Sequence, residues 1–75
     1  MSCPNERPAR EVAVEEFPTA RAAIEHARAA GGRAVRLAGA CGVISAEDAQ
    51  WLEANGFGFA YLHELRGRVV SVPVN

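Results

Sequence analysis

The sequence predicts a small α+β fold, an α/β two-layer sandwich whose elements follow the order β-α-β-α-β-β. Two segments with helical spacing of apolar residues lie between segments in which apolar and polar residues alternate, and the chain ends on a hairpin pattern. Sheets that are covered on both sides have continuous apolar strands, whereas the first two strands here each have a mixed face. We therefore expect a four-stranded mixed sheet with both helices on one face.

The length of the chain limits it to one domain. A chain of 75 residues buries only about 60% of the surface that its unfolded form exposes. Residues 1–9 contain two prolines and no periodic apolar residues, which predicts a disordered leader. Residues 10–75 are expected to form the single domain.

The first strand and the first helix are marked by a change of period. Glu11–Glu15 alternates, with Val12 and Val14 on one side, and is predicted to be a half-buried strand. Thr19 is a suitable N-cap for a helix over Ala20–Ala30. Gly31 and Gly32 then end that helix, because glycine accepts the left-handed conformation that follows a last turn.

A second strand and a second helix follow. The alternation in Ala34–Ala38 predicts a strand, and the glycines of Gly39–Gly42 predict a loop. Ser45 is a capping residue for a helix that ends at Asn55–Gly56. Each strand-helix-strand step is expected to be a right-handed crossover to a parallel strand.

The last third of the chain reads as a hairpin. The apolar run Phe57–Leu65 and the β-branched run Arg68–Val74 are separated by Arg66-Gly67, a two-residue turn. That turn sets a register in which Tyr61 opposes Val72 and His63 opposes Val70. Pro73 cannot donate a hydrogen bond to a neighbouring strand, so the final strand is predicted to lie at an edge of the sheet.

Charge and composition exclude several classes of function. Eight basic and nine acidic residues give a net charge of −1, which argues against a nucleic-acid partner. No apolar run reaches the roughly 20 residues of a membrane helix, and no signal peptide is recognisable, so we expect no membrane partner. Two cysteines without C-x-x-C spacing indicate a reducing, cytoplasmic setting. The spacing of cysteines and histidines predicts no metal site, and we expect no cofactor.

The leading functional hypothesis is a bacterial-type protein-interaction module, more a binding protein than an enzyme. Either face of the hairpin carries large apolar groups, and small monomers rarely expose apolar patches above a few hundred Å². The last strand is also an apolar edge. The sequence therefore predicts a homodimer, or a complex with another protein, through an open sheet face or the C-terminal edge strand. The expected contact residues are Trp51, Tyr61, Val70 and Val72, with Glu15 and Arg36 as neighbours in a polar rim.

Two alternatives come from other classes of function. In the predicted topology, Cys41 and His63 lie at the same edge of the sheet, where an imidazole could activate a thiolate in a thiol-dependent enzyme or redox sensor. The competing interpretation is that Cys41 is a small buried apolar residue. The loop Gly39–Ser45 could instead bind a small anion through Gly42, Ser45 and the amides that open the second helix.

Overall fold

The fold is known from a computed structural model that describes residues 11–74, so the leader predicted for residues 1–9 lies outside the described residues. The described part contains five strands and two helices. In chain order these are β1 (Glu15–Phe17), α1 (Ala20–Ala30), β2 (Arg33–Leu37), β3 (Ala40–Ile44), α2 (Ala46–Ala54), β4 (Phe59–Leu65) and β5 (Arg68–Val74).

The strands form one sheet in the order β1-β3-β2-β4-β5, and all neighbours are antiparallel. The α+β class is confirmed. The predicted four-stranded mixed sheet is wrong, because a fifth strand, β3, occupies the segment that the glycines marked as a loop. This strand lies between β1 and β2 and pairs with both, so parallel strands do not touch.

The strand β3 begins directly after a two-residue turn. Ala38 and Gly39 have φ angles of 53° and 81°, the pair of positive values that a tight hairpin between β2 and β3 requires. Gly42 in the middle of β3 lets the chain around β1 approach closely. A Cβ atom on Gly42 would lie 2.6 Å from Val14 Cγ1 and 2.9 Å from the Glu15 carbonyl oxygen.

The ends of both helices follow the predicted capping residues. The Thr19 hydroxyl accepts a hydrogen bond from the Ala22 amide at 3.1 Å, and the Ser45 hydroxyl accepts one from the Asp48 amide at 3.1 Å. Gly31, with φ of 87°, ends α1 as expected. Between residues 11 and 74, neither helix has the length and apolar character needed to cross a membrane.

The two helices pack on opposite faces of the sheet, which corrects the prediction of a two-layer sandwich. Alternate strand residues separate into two buried clusters. The face under α1, called the α1 face, has the core Ala23, Ile24, Ala34, Val43 and Leu62. The face under α2, called the α2 face, has the core Val35, Ile44, Ala49, Leu52 and Phe59.

The handedness of chain crossovers explains this placement. The helix α1 joins β1 to β2, and α2 joins β3 to β4; each pair runs parallel with one antiparallel strand between its members. Both connections advance across the sheet in the same direction, whereas β1 and β3 run in opposite directions. Right-handed crossovers therefore put the two helices on opposite faces.

The first strand begins later than predicted, at Glu15 rather than Glu11. The predicted alternation of the preceding residues is still present. Val12 and Val14 pack against the core of the α2 face, whereas Ala13 is exposed. This segment therefore covers part of the α2 face before the chain enters the sheet.

Candidate functional site

The free edge of β5 is the longest exposed backbone edge of the sheet. It runs over seven residues, and the register pairs Tyr61 with Val72 and His63 with Val70, as predicted. Adjacent antiparallel pairs alternate between hydrogen-bonded and non-hydrogen-bonded. Pro73, which opposes Ala60, has no N–H and so occupies a non-hydrogen-bonded pair.

This alternation determines which backbone groups of β5 point away from β4. Val69 and Ser71 occupy alternate positions along the strand with Pro73, so they too lie in non-hydrogen-bonded pairs. Their N–H and C=O groups therefore point to the free side of the strand. Pro73 adds an outward carbonyl oxygen but no donor. The edge therefore presents two donors and three acceptors to another strand.

Apolar side chains surround this edge. Leu65 is 61% exposed, Val72 is 45% exposed and Val69 is 37% exposed, whereas Val70 and Val74 are half-buried. The buried cores contain residues of β2, β3 and β4 and none of β5, and of these side chains only Val74 packs against a core, that of the α2 face. The hairpin thus keeps an apolar margin next to free backbone groups.

The opposite edge of the sheet is of a different kind. The strand β1 has three residues, of which Glu15 and Glu16 are exposed and charged. Short strands and charged side chains are features that protect an edge from pairing with another chain. Of the two edges, only that of β5 is long and apolar.

The other predicted contact residues lie apart from this edge. Trp51 is half-buried and stacks on Phe57, with ring centroids 5.5 Å apart. Glu15 and Arg36 were expected to be neighbours on an uncovered face, but β3 separates their strands and α1 covers that face. Glu15 pairs instead with His26, whose Nε2 lies 3.2 Å from Glu15 Oε1.

Tyr61 links the hairpin to α2. Its hydroxyl donates a hydrogen bond of 2.7 Å to Glu53 Oε2. Burial raises the pKa of the Tyr61 phenol above its ordinary value of 10.0, and the hydrogen bond and negative charge of Glu53 raise it further. The positive charge of Arg33 opposes this shift. The side chain therefore belongs to the α2 face of the monomer and is only partly available to a partner.

Cys41 and His63 do not meet. Cys41 opposes Arg36 and packs against the core of the α1 face, whereas His63 follows Tyr61 on the α2 face and is exposed. The strand β2 also separates their two strands. The expected proximity at one sheet edge depended on a parallel neighbour arrangement that the antiparallel sheet does not have.

Gly42 and Ser45 do not belong to an open loop. Gly42 is buried within β3, and the Ser45 hydroxyl is engaged in capping α2. The first turn of α2 also carries Glu47 and Asp48, whose negative charges oppose an anion. A shallow cleft of about 710 Å³ is lined by Ser45 and also by Glu15, a further acidic residue.

A second cleft, of about 320 Å³, was not predicted from the sequence. It is lined by Arg28, Arg33 and His63, which come from α1, β2 and β4. His63 is far from the two arginines in the chain, and the antiparallel pairing of β2 with β4 brings it near Arg33.

Comparison of the chain with protein-family models, curated proteins and solved structures finds no match.

Proposed function

We propose that this chain is a small protein-interaction module that forms a homodimer through β5. The observation that carries the proposal is the free edge of this seven-residue strand, with outward backbone groups and exposed valines. An edge of this kind is a template for a further strand. A second copy of the chain is a partner that presents the same template.

The sequence of β5 favours an antiparallel pairing centred on Ser71. In that register Val70 of one protomer lies opposite Val72 of the other, and Val69 lies opposite Pro73. The two-fold axis repeats both pairs, so four apolar pairs form, and the outward groups of Val69, Ser71 and Pro73 make four hydrogen bonds. A register centred on Val70 also makes four hydrogen bonds but pairs Val72 with Arg68.

The expected affinity is low. Four hydrogen bonds contribute roughly 0.5–1.5 kcal/mol each and four apolar cross-strand pairs about 0.2–1 kcal/mol each. The cost of association, roughly 4–15 kcal/mol, is comparable with or larger than these terms, so we expect a weak, reversible dimer that forms only at high protein concentration.

A single proline substitution in β5 tests whether its free edge is the contact. Ser71→Pro removes an N–H that points to the free side of β5. It removes no hydrogen bond to β4, because Ser71, like Pro73, lies in a non-hydrogen-bonded pair. Ser71→Ala changes the side chain alone and is the matched control. Molar mass is measured by sedimentation equilibrium up to about 1 mM, and circular dichroism establishes that each variant is folded.

The proposal expects a concentration-dependent dimer for the wild type and for Ser71→Ala, and a monomer for Ser71→Pro. Val72→Asp should also be a monomer, because it places a charge within the apolar margin. A wild-type chain that stays monomeric up to about 1 mM overturns self-association. A folded Ser71→Pro variant that dimerises as the wild type does overturns the edge as the contact.

A further inference from the structure

We propose that the chain binds a small phosphate monoester in the cleft of about 320 Å³ at the end of the sheet where β2 and β4 separate. This site is independent of the β5 edge. The register between β2 and β4 comprises two pairs, Val35 with Tyr61 and Arg36 with Ala60. Beyond these pairs, toward the start of β2 and the end of β4, the two strands no longer pair, and Arg33 and His63 line the cleft.

The charged and polar side chains that line the cleft are Arg28, Arg33, Tyr61 and His63, and no carboxylate is among the lining residues. Two acids lie near the cleft. Glu53 accepts a hydrogen bond of 2.7 Å from the Tyr61 hydroxyl, and Glu64 forms a close ion pair with Arg21 and a longer one, at 3.5 Å, with Arg28. Three arginines, Arg21, Arg28 and Arg33, thus face two glutamates, and the balance of charge around the cleft is positive.

Both cleft arginines keep donors for a ligand. A guanidinium carries five N–H donors. The Nη2 atom of Arg28 is 3.5 Å from Glu64 Oε1, and Nη1 of Arg33 donates a long hydrogen bond of 3.4 Å to the Gly32 carbonyl oxygen. Each contact uses one nitrogen of its guanidinium, so the other N–H donors remain for the oxygens of an oxyanion, the kind of group that arginine binds through parallel hydrogen bonds.

The remaining walls of the cleft indicate an organic group on the anion. Ile24 and Leu62 line the cleft from the α1 face, and Tyr61 lines it from the α2 face, through the gap between β2 and β4. The volume of the cleft is near the lower end of the range for small-molecule sites, roughly 300–1,000 Å³. A phosphate that carries one small apolar substituent fits both the charge and the lining, whereas free phosphate would use the charge alone.

The test is a titration of the ¹⁵N-labelled full chain, followed by NMR at constant ionic strength. Phenyl phosphate and inorganic phosphate are titrated separately. We expect saturable shifts at the amides of Gly32, Arg33 and His63, with a lower Kd for phenyl phosphate than for inorganic phosphate. Shifts that do not saturate, or an equal Kd for the two anions, overturn the assignment of a monoester.

Matched charge variants locate the site. Arg28→Gln and Arg33→Gln should each raise the Kd for phenyl phosphate by roughly tenfold or more, because each removes charge-assisted hydrogen bonds. Arg66→Gln makes the same change in net charge at the exposed hairpin turn and should change the Kd by less than about twofold. An equal loss in all three variants means general attraction of anions and overturns the cleft.

One more arm separates a small ligand from a nucleic acid. A short single-stranded oligothymidylate presents the same phosphate chemistry in a polymer. Binding of this oligonucleotide that is tighter than that of phenyl phosphate, and that depends on Arg66 as well as Arg33, would contradict a small-molecule site. Weaker or absent binding of the oligonucleotide supports it.

Discussion

Replacing Gly42 by alanine is expected to disturb the contact between β3 and the chain around β1. The added Cβ would meet Val14 Cγ1 at 2.6 Å and the Glu15 carbonyl oxygen at 2.9 Å, both shorter than an ordinary contact. The Val14 side chain can rotate, but the Glu15 oxygen belongs to the backbone of β1. Relief of that contact requires β1 to move away from β3.

The expected loss is about 1–3 kcal/mol in the free energy of unfolding, the usual cost of inserting a methyl group into a packed site. Chains of this size have urea m-values of roughly 1 kcal/mol per molar, so the midpoint should fall by about 1–3 M. Urea denaturation followed by circular dichroism measures this shift. Amide exchange should be faster in β1 than in β5 if the strand has moved.

Two further variants identify the contact. Val14→Ala removes one of the two clashing atoms, so Val14→Ala combined with Gly42→Ala should recover part of the loss, with a coupling energy of at least about 0.5 kcal/mol. Gly39→Ala is the control, because Gly39 has φ of 81° and nothing within 4 Å of its Cβ position. Its cost comes from the backbone alone and should be additive with Val14→Ala.

A Gly42→Ala variant within about 0.5 kcal/mol of the wild type would refute the close approach of Val14 and Glu15 to β3. The same variant also separates two roles for Gly42. If Gly42 is needed for packing, Gly42→Ala lowers the urea midpoint with and without phosphate. If Gly42 binds an anion, as considered from the sequence, Gly42→Ala keeps the wild-type urea midpoint without phosphate and is no longer stabilised when phosphate is added.

Three shorter predictions follow from other contacts. Tyr61 is the single tyrosine of the chain, so its tyrosinate absorbance should show a midpoint above pH 10.0, and Glu53→Gln should lower it. Since the folded state favours the protonated phenol, Tyr61 stabilises the fold below about pH 10, and this contribution is lost as the pH rises through the raised pKa. Urea denaturation at a series of pH values should show this decrease in stability for the wild type and not for Tyr61→Phe. His63→Ala should leave the rate of Cys41 alkylation by iodoacetamide unchanged in a Cys3→Ser background, and a large decrease would contradict their separation on opposite faces. Glu64→Gln should cost about 1 kcal/mol or less, measured by thermal unfolding at low salt, because its partners are exposed arginines.

The elements that depend on local chemistry could be predicted from the sequence. The bounds Ala20–Ala30 of α1 follow from the spacing of its apolar residues and from Thr19 and Gly31 at its ends. The register of the terminal hairpin follows from Arg66-Gly67, whose φ angles of 53° and 77° are those of a two-residue turn. In each case the signal lies within a few residues of the structure that it determines.

The strand β3 could not be recognised in the same way, because alanine and glycine have little preference for strands. Its residues form a strand because β1 and β2 pair with it on both sides, which is a tertiary effect. One local signal was present. Ala38-Gly39 has the same type of turn as Arg66-Gly67, with both residues at positive φ, and reading it as a hairpin would have placed β3 correctly.

Without β3, the strands before α1 and before α2 were expected to run in the same direction, which put both helices on one face. The strand β3 runs opposite to β1, so the right-handed crossover that follows it places α2 on the other face. The arginine cleft was missed because β2 and the strand of His63 were expected to be parallel, whereas Arg33 and His63 come near each other only when β2 and β4 are antiparallel. With a helix on each face, the central strands have no open side left for a partner. The free apolar surface is then concentrated on the hairpin.

The difference between the two edges argues for a closed dimer rather than a fibre. Pairing of β5 with β1 of another copy would be a head-to-tail contact, and such contacts continue into open filaments unless the rotation closes. The strand β1 offers only three residues for this contact, and two of them are exposed glutamates. Pairing of β5 with β5 of a second copy matches strands of equal length and leaves neither apolar edge free. We therefore expect the proposed two-fold dimer to be favoured over filaments, and neutralising β1 by Glu15→Thr and Glu16→Thr should promote larger species in sedimentation velocity.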